Sequence, residues 1–314
     1  MQRSHLRLLS AALVAAALTL AGCGSSNSSD SGASAGGLGP DAVHVSGDIG
    51  TSATVKFDGK ITDSSSTTKV LSTGKGAKLA LGDSAVIHTV LADGSTQKTV
   101  EDTYTEKRPS LVTVTSQTPP LFRDALVGKT VGSRVLVYAP ATDVFNGTPD
   151  PSSGIGSKDV LAVVVDIIDQ PLGGPNGSTH KPPAWAPKVQ TDSKGVSGLD
   201  FAGTPKPDGK LHVAVLRKGT GATVKKGQLL GVKYFGAVYK GKKPFDENFD
   251  KAPVGFPIGV QQVVAGWDKT LVGQKVGSEV ILQIPPKDGY GNKAQQNIPA
   301  NSTLYFVVDI LSAD

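Results

Sequence analysis

The residues best placed to do chemistry gather in the stretch Gln262-Val263-Val264-Ala265-Gly266-Trp267-Asp268-Lys269-Thr270-Leu271. Val263, Val264, Trp267 and Leu271 recur at helical spacing, so one short amphipathic helix is expected there, closed beyond Gly273 and Val276-Gly277. Gly266 sits in its middle at a cost of roughly 1 kcal/mol relative to alanine, which implies that backbone is being brought close to the next layer. Trp267 then becomes the apolar floor of a shallow pocket. The five histidines, His5, His44, His88, His180 and His212, show no metal-ligand spacing, and no serine or cysteine nucleophile has a credible partner. No metal or cofactor is therefore expected.

Stepping outward, the elements that must hold this helix are strands. Leu211 to Arg217, Gln228 to Ala237, Glu279 to Ile284 and Thr303 to Leu311 all carry strand patterns. In the last, Leu304, Phe306, Val308 and Ile310 alternate with Tyr305, Val307 and Asp309, as in a half-buried antiparallel strand. Glycine and proline are frequent (38 and 20 of 314 residues) and helix signals are few, so the fold class is α+β: a twisted antiparallel sheet wrapping one short helix.

The chain repeats itself. Leu126-Val127-Gly128-Lys129-Thr130-Val131-Gly132-Ser133-Arg134-Val135-Leu136-Val137 parallels Leu271-Val272-Gly273-Gln274-Lys275-Val276-Gly277-Ser278-Glu279-Val280-Ile281-Leu282, and Leu161 to Ile168 parallels Leu304 to Leu311. The offset of the first of these pairs also aligns Gly76-Ala77 with Gly221-Ala222 and Gly82 with Gly227, so two copies of one fold are expected. Five segments follow: 1–22 a signal, 23–39 a flexible Ser/Gly/Asn/Ala tether, 40–169 a first domain, 170–199 a Pro/Gly-rich linker and 200–314 a second domain. Trp185, unusual in a linker, either packs on a neighbouring surface or flags Pro183 to Pro187 as an internal ligand of a pocket.

At the N-terminus, Arg3, His5 and Arg7 precede the apolar run Leu8 to Leu20, and the only cysteine follows at once in Leu20-Ala21-Gly22-Cys23. A basic start, an apolar centre and small residues at a cut site make an export signal. The stretch resembles the bacterial lipoprotein signal, which implies a diacylglyceryl group on Cys23 and anchorage to the cell membrane on its extracytoplasmic face; the alternative is a plain secretory signal. Each buried methylene of such a chain contributes about 0.8 kcal/mol. The net charge of +5 comes without any basic run interleaved with aromatics, which argues against a nucleic-acid partner.

Val232-Lys233-Tyr234-Phe235-Gly236, Pro244-Phe245-Asp246, Phe256-Pro257-Ile258-Gly259, Val263-Val264-Ala265-Gly266-Trp267, Gly289-Tyr290-Gly291 and Ile298-Pro299 followed by Leu304-Tyr305-Phe306 occur in order from Leu211 to Asp314. Together they resemble the successive signatures of the FKBP-type peptidyl-prolyl cis/trans isomerases. The resemblance implies catalysis of X-Pro isomerisation, whose barrier near ~20 kcal/mol reflects amide resonance. A pocket that strips water from the amide and fits its twisted form binds the transition state best. A thousandfold acceleration needs only about 4 kcal/mol of differential binding.

Carried across by motif, the resemblance makes Trp267 the floor under the proline ring and Tyr234, Phe245, Phe256, Val263, Val264 and Phe306 its walls. The Val264 amide and the Tyr290 hydroxyl would hold substrate carbonyls, Asp246 would orient Tyr234 at the rim, and Ile298 would cover the pocket from a loop. Three positions depart from the family pattern: Gln262 stands where an acidic residue is usual, Lys251 replaces a bracing arginine, and the loop from Tyr290 to Ile298 is slightly shorter, with Gln295-Gln296. These bear on substrate preference and rate. In the first copy Phe122 falls opposite Trp267, Phe145 opposite Tyr290, Thr89 opposite Tyr234, Glu101 opposite Asp246 and Val163 opposite Phe306, so a degenerate domain with a holding or spacing role is expected. The expected partners are proline-containing exported polypeptides, the membrane through Cys23 and, by resemblance, macrolides. The rival reading is a non-catalytic lipoprotein that grips proline-containing segments. A solute-capturing transport lipoprotein would need two larger α/β lobes, which this strand-rich duplicate does not offer.

Overall fold

The computed structural model describes residues 38–149 and 151–314. The expected signal, Cys23 and all of the tether before Leu38 lie outside the described residues. Contacts divide the chain into two compact units, one of residues up to 81, 89–106 and 114–166, the other of residues 82–88, 107–113 and 167–314. Among the described residues no helix is long and apolar enough to cross a membrane.

In the first half, Val43–Ser46 (β1) and Thr54–Phe57 (β2) form a hairpin. Thr67–Ser72 (β3), Ser84–Asp93 (β4), Lys98–Asp102 (β5), Ser110–Thr113 (β6), Arg134–Pro140 (β7) and Val160–Asp169 (β8) form a sheet of order β3-β7-β8-β4-β5, with β6 on β4. Pro120–Leu126 (α1) and Ala141–Val144 (α2) are its helices. The hairpin packs through Val43, Val45, Val55 and Phe57 on Leu136, Tyr138, Ala162 and Val164, alternate residues of β7 and β8.

The second half repeats the plan. Ser178–Thr179 (β9) pairs with His212–Lys218 (β12), and Lys188–Asp192 (β10) with Gly195–Asp200 (β11) makes a hairpin. Leu229–Val238 (β13), Asp246–Glu247 (β14), Val254–Pro257 (β15), Glu279–Ile284 (β16) and Leu304–Ala313 (β17) complete an antiparallel sheet of order β14-β13-β17-β16-β12-β9, with β15 on β13. Leu230, Val232, Tyr234, Leu282, Ile284, Phe306 and Val308 point to one face and enclose Trp267 and Leu271 of the helix Ala265–Leu271 (α3).

Three expectations change. The helix begins at Ala265 rather than Gln262, because Asp268 accepts hydrogen bonds from the Gly259 and Gln261 amides at 2.6 and 2.8 Å and so fixes the preceding segment as a turn. Val264 stands before the helix with φ −57° and ψ 142°, an extended residue. β17 is not half-buried: Tyr305, Val307 and Asp309 are covered too. Their cover is the third change, since residues 170–199 do not run free. β9 joins the sheet, and Trp185, Val189, Val196 and Leu199 pack on Phe235, Ala237, Ile281 and Val307. Trp185 also stacks on His212 at 5.3 Å, so of the two readings of that residue the packing one holds.

Small details show how closely the halves correspond. The Gly74 amide donates to Ser133 Oγ at 2.9 Å and the Gly219 amide to Ser278 Oγ at 3.0 Å. A Cβ on Gly74 would fall 2.1 Å from the Val131 carbonyl oxygen, and one on Gly219 would fall 2.3 Å from that of Val276, so no other residue fits either turn. The Thr89 amide is clipped by Thr103 Oγ1 at 2.8 Å, the Tyr234 amide by Asn248 Oδ1 at 2.7 Å. In each half a hairpin preceding the sheet covers the face turned away from the helix, so the repeating unit includes that hairpin.

Candidate functional site

β13 delivers Tyr234 to the helix side of the sheet and β17 delivers Phe306 beside it, since residues two apart on neighbouring strands share a face. β15 supplies Phe256, paired across from Leu230 on β13. Against these stands Trp267 on the first turns of α3. Tyr234, Phe256 and Phe306 meet its indole with ring centroids 5.4, 5.7 and 5.3 Å away and interplanar angles of 83°, 88° and 79°. Three rings at right angles to one plane make walls around a floor, and edge-to-face pairs of this kind contribute about 0.5–1.5 kcal/mol each beyond burial. Phe245 extends the wall, edge-on to Phe306 at 5.4 Å.

Two glycines make room for this box. A Cβ on Gly266 would lie 2.6 Å from Cδ1 and Cγ2 of the fully buried Ile284, so the helix can seat Trp267 this deep only with hydrogen at that position. A Cβ on Gly236 would lie 2.7 Å from Phe306 and 2.8 Å from Phe245. The glycine inside the helix pattern is thereby explained as close packing.

Exposure rises from floor to rim: Trp267 is 4% exposed and Tyr290 38%, with Phe245, Phe256, Val263 and Val264 half-buried between them. Ile298 is buried in the same cluster, its loop pinned by reciprocal backbone hydrogen bonds with Gln295 at 2.9 and 3.0 Å. At the rim the Tyr234 hydroxyl donates to Asp246 Oδ2 at 2.5 Å. Burial, and then this bond, push the Tyr234 hydroxyl far above its ordinary pKa, and burial with the nearby Asp246 charge raises Tyr290 as well. Both hydroxyls therefore stay protonated donors across the physiological range. The Val264 amide precedes the helix ladder, and among the described residues no protein acceptor takes it or the Tyr290 hydroxyl. Every residue singled out in the second half as wall, floor, rim or cover is thus brought to one place. Cys23 lies outside the described residues.

Lys251 does not brace Asp246. It pairs with Glu247 at 3.4 Å and Asp250 at 3.7 Å. Asn248, which donates to the Val232 and Ala252 carbonyls while accepting from Tyr234, holds β13 against the chain after β14; sequence reasoning passed over it, although Thr103 at the matching place in the first half was the available signal. In that half Thr89 is a buried strand residue clipped by Thr103, and the tyrosine–aspartate hydrogen bond lies instead on the hairpin side, where the Tyr104 hydroxyl donates to Asp166 Oδ2 at 2.5 Å. Among the described residues no group of three or more His, Cys, Asp or Glu is arranged to hold a metal ion.

The site is a strand-lined aromatic box with the Tyr234 and Tyr290 hydroxyls at its rim, built on an antiparallel sheet and a single short helix. Residues 221–311 match the family described as FKBP-type peptidyl-prolyl cis-trans isomerase. FK506-binding protein 1A of Neurospora crassa is 40% identical over 110 residues, which make up 34% of this chain and 90% of that protein. FK506-binding protein 4 of Gibberella zeae is 38% identical over 138 residues, 44% of this chain and 26% of that protein. The solved FkpA of Escherichia coli shares 30% identity over 40% of this chain and 51% of its own, with a TM-score of 0.31. The chain belongs to the FKBP-type peptidyl-prolyl cis-trans isomerase family. It spans only about a quarter of the length of such longer fungal relatives.

Proposed function

We propose that this chain is a membrane-tethered, extracytoplasmic peptidyl-prolyl cis/trans isomerase that assists the folding of exported proteins. The observation that carries the reading is the box itself: Trp267 floored beneath Tyr234, Phe256 and Phe306, with the Tyr234–Asp246 hydrogen bond at its mouth. A prolyl ring entering it leaves water on three sides. The Val264 amide and the Tyr290 hydroxyl take the carbonyls that flank the ring, and the amide between them is desolvated. Loss of water weakens the polarised planar form, so the twisted form is bound relatively better. Asp246, held by Tyr234, lies where the rotating carbonyl passes and sets the local field. Macrolides that mimic a prolyl amide compete for the same box.

The tether rests on Leu20-Ala21-Gly22-Cys23 behind a basic and apolar leader. The first domain, with Thr89 and Glu101 at the places of Tyr234 and Asp246, holds or spaces clients. A protease-coupled assay with a proline tetrapeptide on the full chain tests the activity. Acceleration that falls at least about tenfold in Trp267→Leu and in Tyr290→Phe supports catalysis, a change of about 1.4 kcal/mol or more in barrier. Binding of the peptide without acceleration would leave a non-catalytic holder of proline segments. Palmitate labelling in an expressing bacterium, lost in Cys23→Ala, tests the anchor.

A further inference from the structure

The two halves differ at one buried position on the sheet face turned away from the helix. In the first half Arg134 on β7 is the cross-strand partner of Asp166 on β8, and its guanidinium grips both carboxylate oxygens at 2.6 and 2.7 Å. The same guanidinium donates to the Gly47, Asp48 and Thr51 carbonyls at 2.6, 3.0 and 3.0 Å, stapling the β1–β2 turn over it. In the second half the aspartate is kept as Asp309 on β17, but its cross-strand partner on β16 is Glu279. A carboxylate stands where the first half has its cation.

Among the described residues no cation is hydrogen-bonded to the pair, although the charges of Arg217 and Lys233 act on it. Arg217 and Lys233 flank the pair in cross-strand register, yet Arg217 Nη1 reaches toward the Gly177 carbonyl at 3.4 Å and Lys233 Nζ donates to the Phe249 carbonyl at 3.0 Å. Asp309 is only 5% exposed, and its Oδ1 has no hydrogen-bond partner among the described residues. An unmet buried acceptor is unfavourable, the more so when charged, so the site as it stands asks for a donor. Glu279 also opens onto a cavity of about 520 Å3 beneath the Pro182–Lys188 segment, walled by Pro183, Ala186, Val189 and Leu216, with His180 and the exposed Lys188 as its other charged or titratable groups. Apolar walls leading to Glu279, behind which stands its cross-strand partner Asp309, fit an occupant with an aliphatic stem and a cationic head.

We propose that this cavity is a second binding site, separate from the Trp267 box, which takes the guanidinium of a polypeptide arginine side chain onto Glu279 and Asp309 as Arg134 is taken by Asp166. The stem lies against the prolines and alanines of the 182–188 segment. Bidentate geometry favours guanidinium over ammonium. Burial is the main reason that both carboxyl groups are held above the ordinary carboxylate range, so arginine binding, which favours their charged forms, strengthens as pH rises.

The test uses the full chain and N-acetyl-arginine amide as probe, with N-acetyl-citrulline amide as its uncharged counterpart, in calorimetric titrations at pH 6 and 8. Expected are binding of the arginine probe that is at least about tenfold tighter than that of citrulline and tightens at pH 8. Glu279→Gln weakens it at least about tenfold, and Glu279→Arg, which restores the arrangement of the first half, abolishes it while leaving the chain folded by circular dichroism. Trp267→Leu leaves it unchanged. Equal binding of the two probes, no binding of either, or retention in Glu279→Arg with loss in Trp267→Leu overturns the proposal.

Discussion

Replacing Tyr234 with phenylalanine isolates one hydrogen bond at the mouth of the box. The ring that meets Trp267 at 5.4 Å stays, and only the hydroxyl bonded to Asp246 at 2.5 Å is lost. A hydrogen bond to a charged partner contributes about 1.5–3 kcal/mol, but Asp246 is exposed and regains water when released. The expected loss of stability is thus about 1 kcal/mol. Both tryptophans, Trp185 and Trp267, belong to the second unit, so urea unfolding followed by tryptophan fluorescence reports on that unit. Activity should respond more than stability. If the bond holds the carboxylate against the rotating carbonyl, kcat/KM falls about tenfold in both Tyr234→Phe and Asp246→Asn, about 1.4 kcal/mol each. The double variant loses little beyond either single one, because the two groups act as one unit. Because the hydroxyl is held protonated well beyond its ordinary range, the activity lost in Tyr234→Phe is the same at pH 6 and pH 9. Full kcat/KM in Tyr234→Phe, or losses that simply add in the double variant, would refute this reasoning.

Burial, with the Glu279 charge beside it, raises Asp309 from 3.8 to about 7. The folded chain therefore favours the proton: that contribution is complete below about pH 4 and is lost as pH climbs through about 7, and Asp309→Asn flattens this slope in denaturant titrations by on the order of 4 kcal/mol at most. Asp314, raised to about 7 by burial and Asp169, adds a slope of the same sign that the variant leaves in place. Arg134→Met takes the cation from the buried Asp166, leaving it the Tyr104 hydroxyl, and unties the β1–β2 turn, so the first unit loses about 3–5 kcal/mol and Gly47 to Thr51 become the first backbone to exchange amide protons. Gly266→Ala forces a methyl into Ile284 and costs about 1–3 kcal/mol despite alanine's better helix propensity; a stabilised variant would contradict the packing described for α3.

The inner face of the second half was legible through the order of its short motifs: the resemblance they carry puts Tyr234, Phe256, Trp267 and Phe306 together, and the cost of Gly266 pointed to close packing. The outer face was not legible. Tyr305 and Asp309 look like solvent positions in an alternating strand, and what buries them comes from Val189, Val196 and Leu199, single apolar residues in short strands among glycines and prolines. Local periodicity cannot announce a cover whose apolar residues are so widely spaced, and the same weakness made residues 170–199 look like a linker. The start of α3 was misplaced for a related reason: Val263 and Val264 keep helical spacing with Trp267, but the carboxylate of Asp268 binds the Gly259 and Gln261 amides and settles the turn against the helix.

The duplicated sheet has let its two faces change separately. Both halves keep the turns that demand Gly74 and Gly219, and both clip the middle of the long strand with a side chain from the following segment, Thr103 or Asn248. On the helix face one half has Thr89 and Phe122 where the other has Tyr234 and Trp267. On the opposite face one half closes an arginine–aspartate staple over its hairpin, while the other leaves two carboxyl groups and a cavity. Alternate residues of a strand point to opposite faces, so a substitution at Tyr234 or Phe306 does not disturb Asp309, and a substitution at Glu279 does not disturb the box. The half with the arginine–aspartate staple has no counterpart of the Trp267 box, and the half with the box leaves Asp309 without a hydrogen-bonded cation, two differences on opposite faces that need not have arisen together.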